Sequence, residues 1–95
     1  MLIDEIIWQQ QFVEKLATKH GVEQTEVEEV LTNRPRFRFA SKGNRPGENV
    51  YSAMGQTDAG RYLIVFFIQK PNRRALIISA RDMDETERRN YERKR

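Results

Sequence analysis

The chain has no cysteine, one histidine, one tryptophan and three prolines among its 95 residues. Without cysteine, a disulfide scaffold and a thiolate zinc site are both excluded, and the chain suits a reducing cytoplasm. A single histidine cannot build a metal centre by itself, so no metal and no cofactor is expected. The longest apolar run, Tyr62 to Ile68, is far too short to span a membrane. The first residues, Met1-Leu2-Ile3-Asp4-Glu5, are acidic where an export signal would be basic. Repeats, low-complexity tracts and internal linkers are missing, and a chain of this length holds one core. Residues 1–95 therefore read as a single domain.

What the chain has in quantity is charge, and it is unevenly placed. Residues 1–32 carry two lysines against seven acids, a net of −5, while residues 33–95 carry fifteen Lys and Arg against seven acids, a net of +8. Twelve of those fifteen are arginine, whose planar fork suits bidentate contact with phosphate. Such a concentration points to a polyanion site on the C-terminal two-thirds rather than to a merely solvated surface.

Periodicity and punctuation predict the elements. Ile3 to Trp8 reads as an edge strand or a lead-in to helix. Gln9 to Lys19 has Phe12, Val13 and Leu16 at helical spacing, and Gly21 suits the left-handed residue that ends a helix. Thr25-Glu26-Val27-Glu28 reads as a capping box opening a second helix, which Asn33 and Pro35 stop. Arg36-Phe37-Arg38-Phe39 alternates strictly, which predicts a strand with its phenylalanines inward and its arginines outward. Residues 41–49 form the longest loop, and Val50 to Met54 is the next strand. Residues 61–69 are apolar at nearly every position, as in a central strand buried on both faces, and residues 75–80 form the last strand after a turn at Pro71-Asn72. Asp84 with Glu87 makes a second capping-box start, for a helix running to about Glu92 before a frayed basic end. Short turns between the strands imply antiparallel pairing, so the fold class is α+β: two N-terminal helices, a curved antiparallel sheet and a C-terminal helix.

Few residues are equipped for chemistry. His20 follows Lys19 at a helix C-terminus, where a cation complements the carbonyl dipoles; it either completes that helix end or catalyses. Glu48 stands at a loop-to-strand junction, where a carboxylate either accepts a proton or holds an arginine. Arg61 and Arg81 mark two strand ends, where a fixed guanidinium grips phosphate or simply pairs with Asp58, Asp82 or Glu48. The Arg36–Phe39 alternation invites a nucleic-acid reading, but both phenylalanines fall on the face opposite the arginines, which makes them core candidates. Trp8 and Tyr91 also read as packing residues.

The order and spacing of Trp8, Lys19-His20-Gly21-Val22, Glu48 with Tyr51, Gly60-Arg61, the Ile77 to Arg81 strand end, and Glu87-Arg88 with Tyr91 together resemble the BrnT family of bacterial toxins. The resemblance covers about Trp8 to Glu92. It implies a RelE-like fold, an endoribonuclease that inhibits translation, and a tightly bound antitoxin of ribbon-helix-helix, BrnA-like type that alone contacts operator DNA. It departs from the family at Gln9-Gln10-Gln11, where an acid usually follows the tryptophan, and in the arginine-rich stretch from Arg34 to Pro46. Metal-free RNA cleavage needs a base for the 2′-OH and cations for the phosphorane. Lys19, His20, Glu48, Arg61 and Arg81 would supply them, with Arg36 and Arg38 extending the nucleic-acid contact and no membrane involved. The alternative is a non-catalytic module of toxin-like fold that only pairs with a partner and grips nucleic acid. Under the catalytic reading, Arg61→Ala and Arg81→Ala abolish cleavage while leaving the melting temperature nearly unchanged.

Overall fold

The structure, a computed structural model, describes residues 1–93. Five strands form one open sheet in the order β1-β5-β4-β3-β2. They are β1 (Glu5–Ile7), β2 (Arg36–Ser41), β3 (Val50–Gln56), β4 (Tyr62–Lys70) and β5 (Arg74–Asp82), with helices α1 (Gln10–Lys15), α2 (Gln24–Thr32) and α3 (Glu85–Arg93). The predicted central strand is indeed the middle one, flanked by β5 and β3, both antiparallel to it. The class is α+β.

One edge differs from the expectation of a purely antiparallel sheet. Residues Ile3 to Trp8 do supply an edge strand, but β1 runs parallel to β5, pairing Ile6 with Ala75, so the sheet is mixed. Short turns force antiparallel neighbours only where such turns exist. Between β1 and β5 lie all the other strands and two helices, and nothing local fixes the direction.

Alternation along β4 splits the core into two layers. Leu63, Val65 and Phe67 are wholly buried and join Leu16, Val27 and Val30 from the N-terminal helices and Val22 from the turn between them. Ile64 points to the other face and meets Met54 and Tyr91. A substitution at Gly55 shows how close the first layer sits: an added Cβ would come within 3.1 Å of Val30 Cγ1 and 3.3 Å of Pro35 Cβ. That glycine lets α2 lie directly on β3. Trp8 packs against this layer half-buried, with Nε1 donating to Glu28 Oε2 at 3.4 Å.

The N-terminal helices depart from the predicted boundaries. After Lys15 the helix widens into a π turn over Leu16–His20, closed by Gly21 at φ 60°. The left-handed glycine is where the sequence put it; the widened turn carries no sequence signal. The capping box of α2 also lies earlier than Thr25 and Glu28. The helix begins at Gln24, and Glu26 Oε1 accepts from the Glu23 N–H at 3.1 Å. Starting there frees Glu26 to serve a second partner, described below.

On the opposite face α3 opens as predicted. The Asp84 N–H donates to Glu87 Oε1 at 2.9 Å, and the Glu87 N–H to Asp84 Oδ1 at 2.7 Å. Tyr91 is buried, its ring edge-on to Tyr62 at 6.0 Å. The expected fraying beyond α3 lies outside the described residues. An Asp84→Ala variant should lose about 1 kcal/mol of folding free energy. A thermal melt should record this as roughly 4–8 °C.

Phe39 corrects the reading of β2. Phe37 does pack inward, edge-on to Phe67 at 6.0 Å, but Phe39 is 58% exposed. β2 is the outer strand of the sheet, whereas α2 lies over β3 and β4, so Phe39 overhangs the core and keeps only Tyr51, at 5.8 Å, as a ring neighbour.

Candidate active site

Arg61 is the most heavily bonded side chain at the sheet's end. Its Nε donates to Asp82 Oδ1 at 2.8 Å and its Nη2 to Asp82 Oδ2 at 3.1 Å, a fork-to-fork pair. Nη1 donates to the Gly21 carbonyl at 2.9 Å and to Glu26 at 3.1 Å, while Nη2 also reaches the His20 carbonyl at 3.2 Å. A guanidinium has five N–H donors, and here each has an acceptor. Arg61 therefore has no donor left for a phosphate in this arrangement. It ties β4, β5, the start of α2 and the π turn into one corner. The Asp82 and Glu26 carboxylates raise the Arg61 pKa further above its ordinary value, Asp82 foremost.

The turn held in this way displays Lys19 and His20. Lys19 is exposed and His20 partly so, and neither side chain hydrogen-bonds to another described residue. The His20 ring is close enough to Asp82 for its charge to help hold that carboxyl below the usual range, although the hydrogen bonds from Arg61 are the larger cause. Lys19, His20 and Arg61 are thus brought together, with Arg61 as the support.

Arg81 lies at the same end of the sheet on the other face. It pairs across the strands with Ile64, a residue of the α3 layer, whereas Asp82 pairs with Leu63 of the helical layer. Its Nη1 and Nη2 donate to Glu87 at 2.7 and 2.9 Å, Nη1 also meets the Asp82 carbonyl at 3.1 Å, and its guanidinium lies 5.7 Å from the Phe66 ring centre. The Arg81 hydrogen bond is the main reason the Glu87 carboxyl is held below its ordinary range.

Glu48 is not brought to this corner. It pairs with Lys70 at 3.5 Å, at the far end of β4 from Arg61. At about 3.3 Å per residue, that is on the order of 25 Å away. The antiparallel register that sets Val50 against Ile68 decides this. The role left to Glu48 is the second of those its sequence context offered, holding a cation in place.

Arg36 and Arg38 stand on β2 opposite Met54 and Ser52, and so face the α3 side. Arg38 is exposed and pairs with no described acid. It borders a shallow depression with Ser52, Ile64, Glu87 and Asn90.

Chemically, the corner offers a histidine and an ammonium on a rigid turn beside an anchored carboxylate. No group of three His, Cys, Asp or Glu among the described residues could hold a metal ion. The acids that position this corner were only half visible beforehand. Asp82 follows Arg81 and is a foreseeable partner for an arginine, but in sequence Glu26 and Glu87 read only as helix-start residues.

The family model for the ribonuclease toxin BrnT of type II toxin–antitoxin systems matches residues 8–87. The chain belongs to the BrnT family. No curated protein sequence matches it. The fold is similar to the 1.1 Å crystal structure of the Brucella abortus ribonuclease toxin BrnT, with 20% identity and a TM-score of 0.64 over 85% of this chain and 97% of that one. The BrnT assignment makes this chain a ribonuclease toxin, whose partners are an RNA target and a protein antitoxin. None of the described helices is long and apolar enough to cross a membrane.

The two held-down carboxyls give the BrnT fold an acid limit. A group whose pKa is depressed by folding stabilises the fold above its unfolded value, and that stability is lost as pH falls through the folded value. Asp82 and Glu87 both have depressed values. The melting temperature should therefore hold between neutrality and about pH 5 and fall below about pH 4. Asp82→Asn should flatten part of that fall in a pH series of melts.

Proposed function

We propose that this chain cleaves RNA without a metal at the corner built around the π turn. His20 accepts the proton of the attacking 2′-OH, and Lys19 places an ammonium beside the charge that builds on the phosphorane. Arg61 is a positioning residue, acting through the carbonyls of His20 and Gly21. Arg81 and Arg36, level with each other on the other face at the same sheet end, offer cations to the flanking RNA, with Arg38 two residues further along β2. The observation that carries this reading is the saturation of Arg61. Two donors spent on the turn's carbonyls, and three on the Asp82 and Glu26 carboxylates beside it, make sense if the side chains on that turn need a fixed aim.

In this reading the reaction breaks the P–O5′ bond and the proton taken by His20 passes to the leaving 5′-oxygen, leaving a 2′,3′-cyclic phosphate on one fragment and a 5′-hydroxyl on the other. Translation stops because messages are cut. The antitoxin is of ribbon-helix-helix type, and operator DNA is bound only through it. The test is to incubate purified chain with RNA in excess EDTA and characterise the ends by mass spectrometry. Cleavage with cyclic-phosphate ends is the expected result. Loss of cleavage in EDTA, restored by a divalent ion, would reject the metal-independent step.

A further inference from the structure

The sheet's outer edge carries a feature that cleavage does not use. β2 has a neighbour on one side only, so every second N–H and C=O of Arg36–Ser41 faces outward. Its two faces differ in chemistry. Arg36 and Arg38 project to one side, Phe37 and Phe39 to the other. On the phenylalanine side, Met1, Leu2, Ile3, Leu31 and Pro35 line a shallow groove with Phe37. Among the described residues, the exposed large hydrophobics are Met1, Leu2 and Phe39. Residues 30–47, which contain the strand, hold five cations and no acid.

We infer that β2 is the seat of an added strand from the antitoxin, an extended segment that alternates acidic with apolar residues. This rests on the antitoxin reading and names its point of contact. Strand addition would satisfy the outward backbone groups, and alternate side chains would then fall on alternate faces. The acids would meet Arg36 and Arg38, while the apolar residues would cover Phe37 and Phe39 and enter the groove. A second copy of this chain is a poor occupant. Pairing two β2 strands antiparallel sets arginine opposite or diagonal to arginine, and like charges across strands are destabilising. The same arginines that repel a copy attract an acidic strand. Because Arg36 and Arg38 also belong to the proposed RNA surface, a seated strand would block RNA.

The test uses an end-blocked peptide of alternating valine and glutamate, a valine–lysine counterpart, a single-stranded RNA oligonucleotide, and the co-purified complex with the antitoxin. Amide hydrogen exchange is followed along the folded chain. The valine–glutamate peptide and the antitoxin should each slow exchange within residues 36–41 by roughly tenfold or more. Arg38→Glu and Phe39→Ser should each weaken the peptide by roughly tenfold without altering the melt. Equal binding of the lysine peptide, or protection of 36–41 by RNA but not by peptide, would overturn the inference. An antitoxin that binds yet leaves 36–41 as in the free chain would overturn it while leaving the antitoxin reading intact. A chain that binds no antitoxin would remove both.

Discussion

An Arg61→Ala variant should melt far below the parent chain and lose RNA cleavage with it. The substitution strips donors from the His20 and Gly21 carbonyls and leaves the Glu26 and Asp82 carboxylates without their shared cation. Hydrogen bonds to charged groups contribute about 1.5–3 kcal/mol each, although they do not add. The Arg61 side chain is 29% exposed, so water recovers part of the loss. A net cost of about 2–3 kcal/mol is the reasonable expectation, or roughly 10–20 °C for a domain of this size. Arg61→Lys keeps the charge but not the fork, so it should restore part of the stability and little of the cleavage. Melts of the three proteins, with cleavage assayed at a temperature where all are folded, check this. A melting temperature for Arg61→Ala within about 2 °C of the parent would remove the clamp. This reverses what the strand-end position alone suggests, which is a surface cation that costs nothing to delete.

The reversal shows where sequence reading runs out. That a guanidinium would stand at the start of β4 followed from an apolar run beginning at Tyr62, and that position is right. Its partners depend on which strand lies beside which, and on how far the π turn reaches toward β5. Neither is encoded within a window of a dozen residues. Glu48 went astray for the same reason: its neighbourhood in sequence is basic, but the β3–β4 register carries it to the opposite end of the sheet. Phe39 failed because alternation reports which face a side chain takes, not how far the covering helices extend. What survived was local chemistry: Gly21 in the left-handed region, the Asp84–Glu87 box, and β4 as the centre.

The arrangement also separates support from contact. At the corner, the groups with depressed or raised pKa values are those locked to each other, Arg61 with Asp82 and Arg81 with Glu87. Perturbed groups often mark reaction centres, but ion pairs that brace a fold perturb them equally. Lys19, His20 and Arg38 make no hydrogen bond to any described residue through their side chains, so these groups can meet a polyanion without giving up a partner.

His20→Gln should therefore do what Arg61→Ala cannot, abolishing cleavage in a chain that still folds normally. Glutamine keeps the size and a polar end but cannot cycle a proton. Removing a positioned base or acid costs roughly a hundredfold to ten-thousandfold in rate, or about 3–5 kcal/mol of barrier. Lys19→Ala should cost about a hundredfold or more, as expected when one donor near developing charge is lost. Both side chains lie outside the core clusters, so the two melts should stay close to the parent's. Glu48→Gln should cleave nearly as well as the parent, since its carboxylate meets Lys70 rather than the corner. Single-turnover cleavage of one defined RNA by the parent, these three variants, Arg38→Ala and Arg81→Ala separates the possibilities. Should Lys19→Ala and His20→Gln cleave at full rate while Arg38→Ala or Arg81→Ala does not, the reaction centre lies on the α3 face instead. A Glu48→Gln protein without activity would mean that RNA contacts both ends of the sheet.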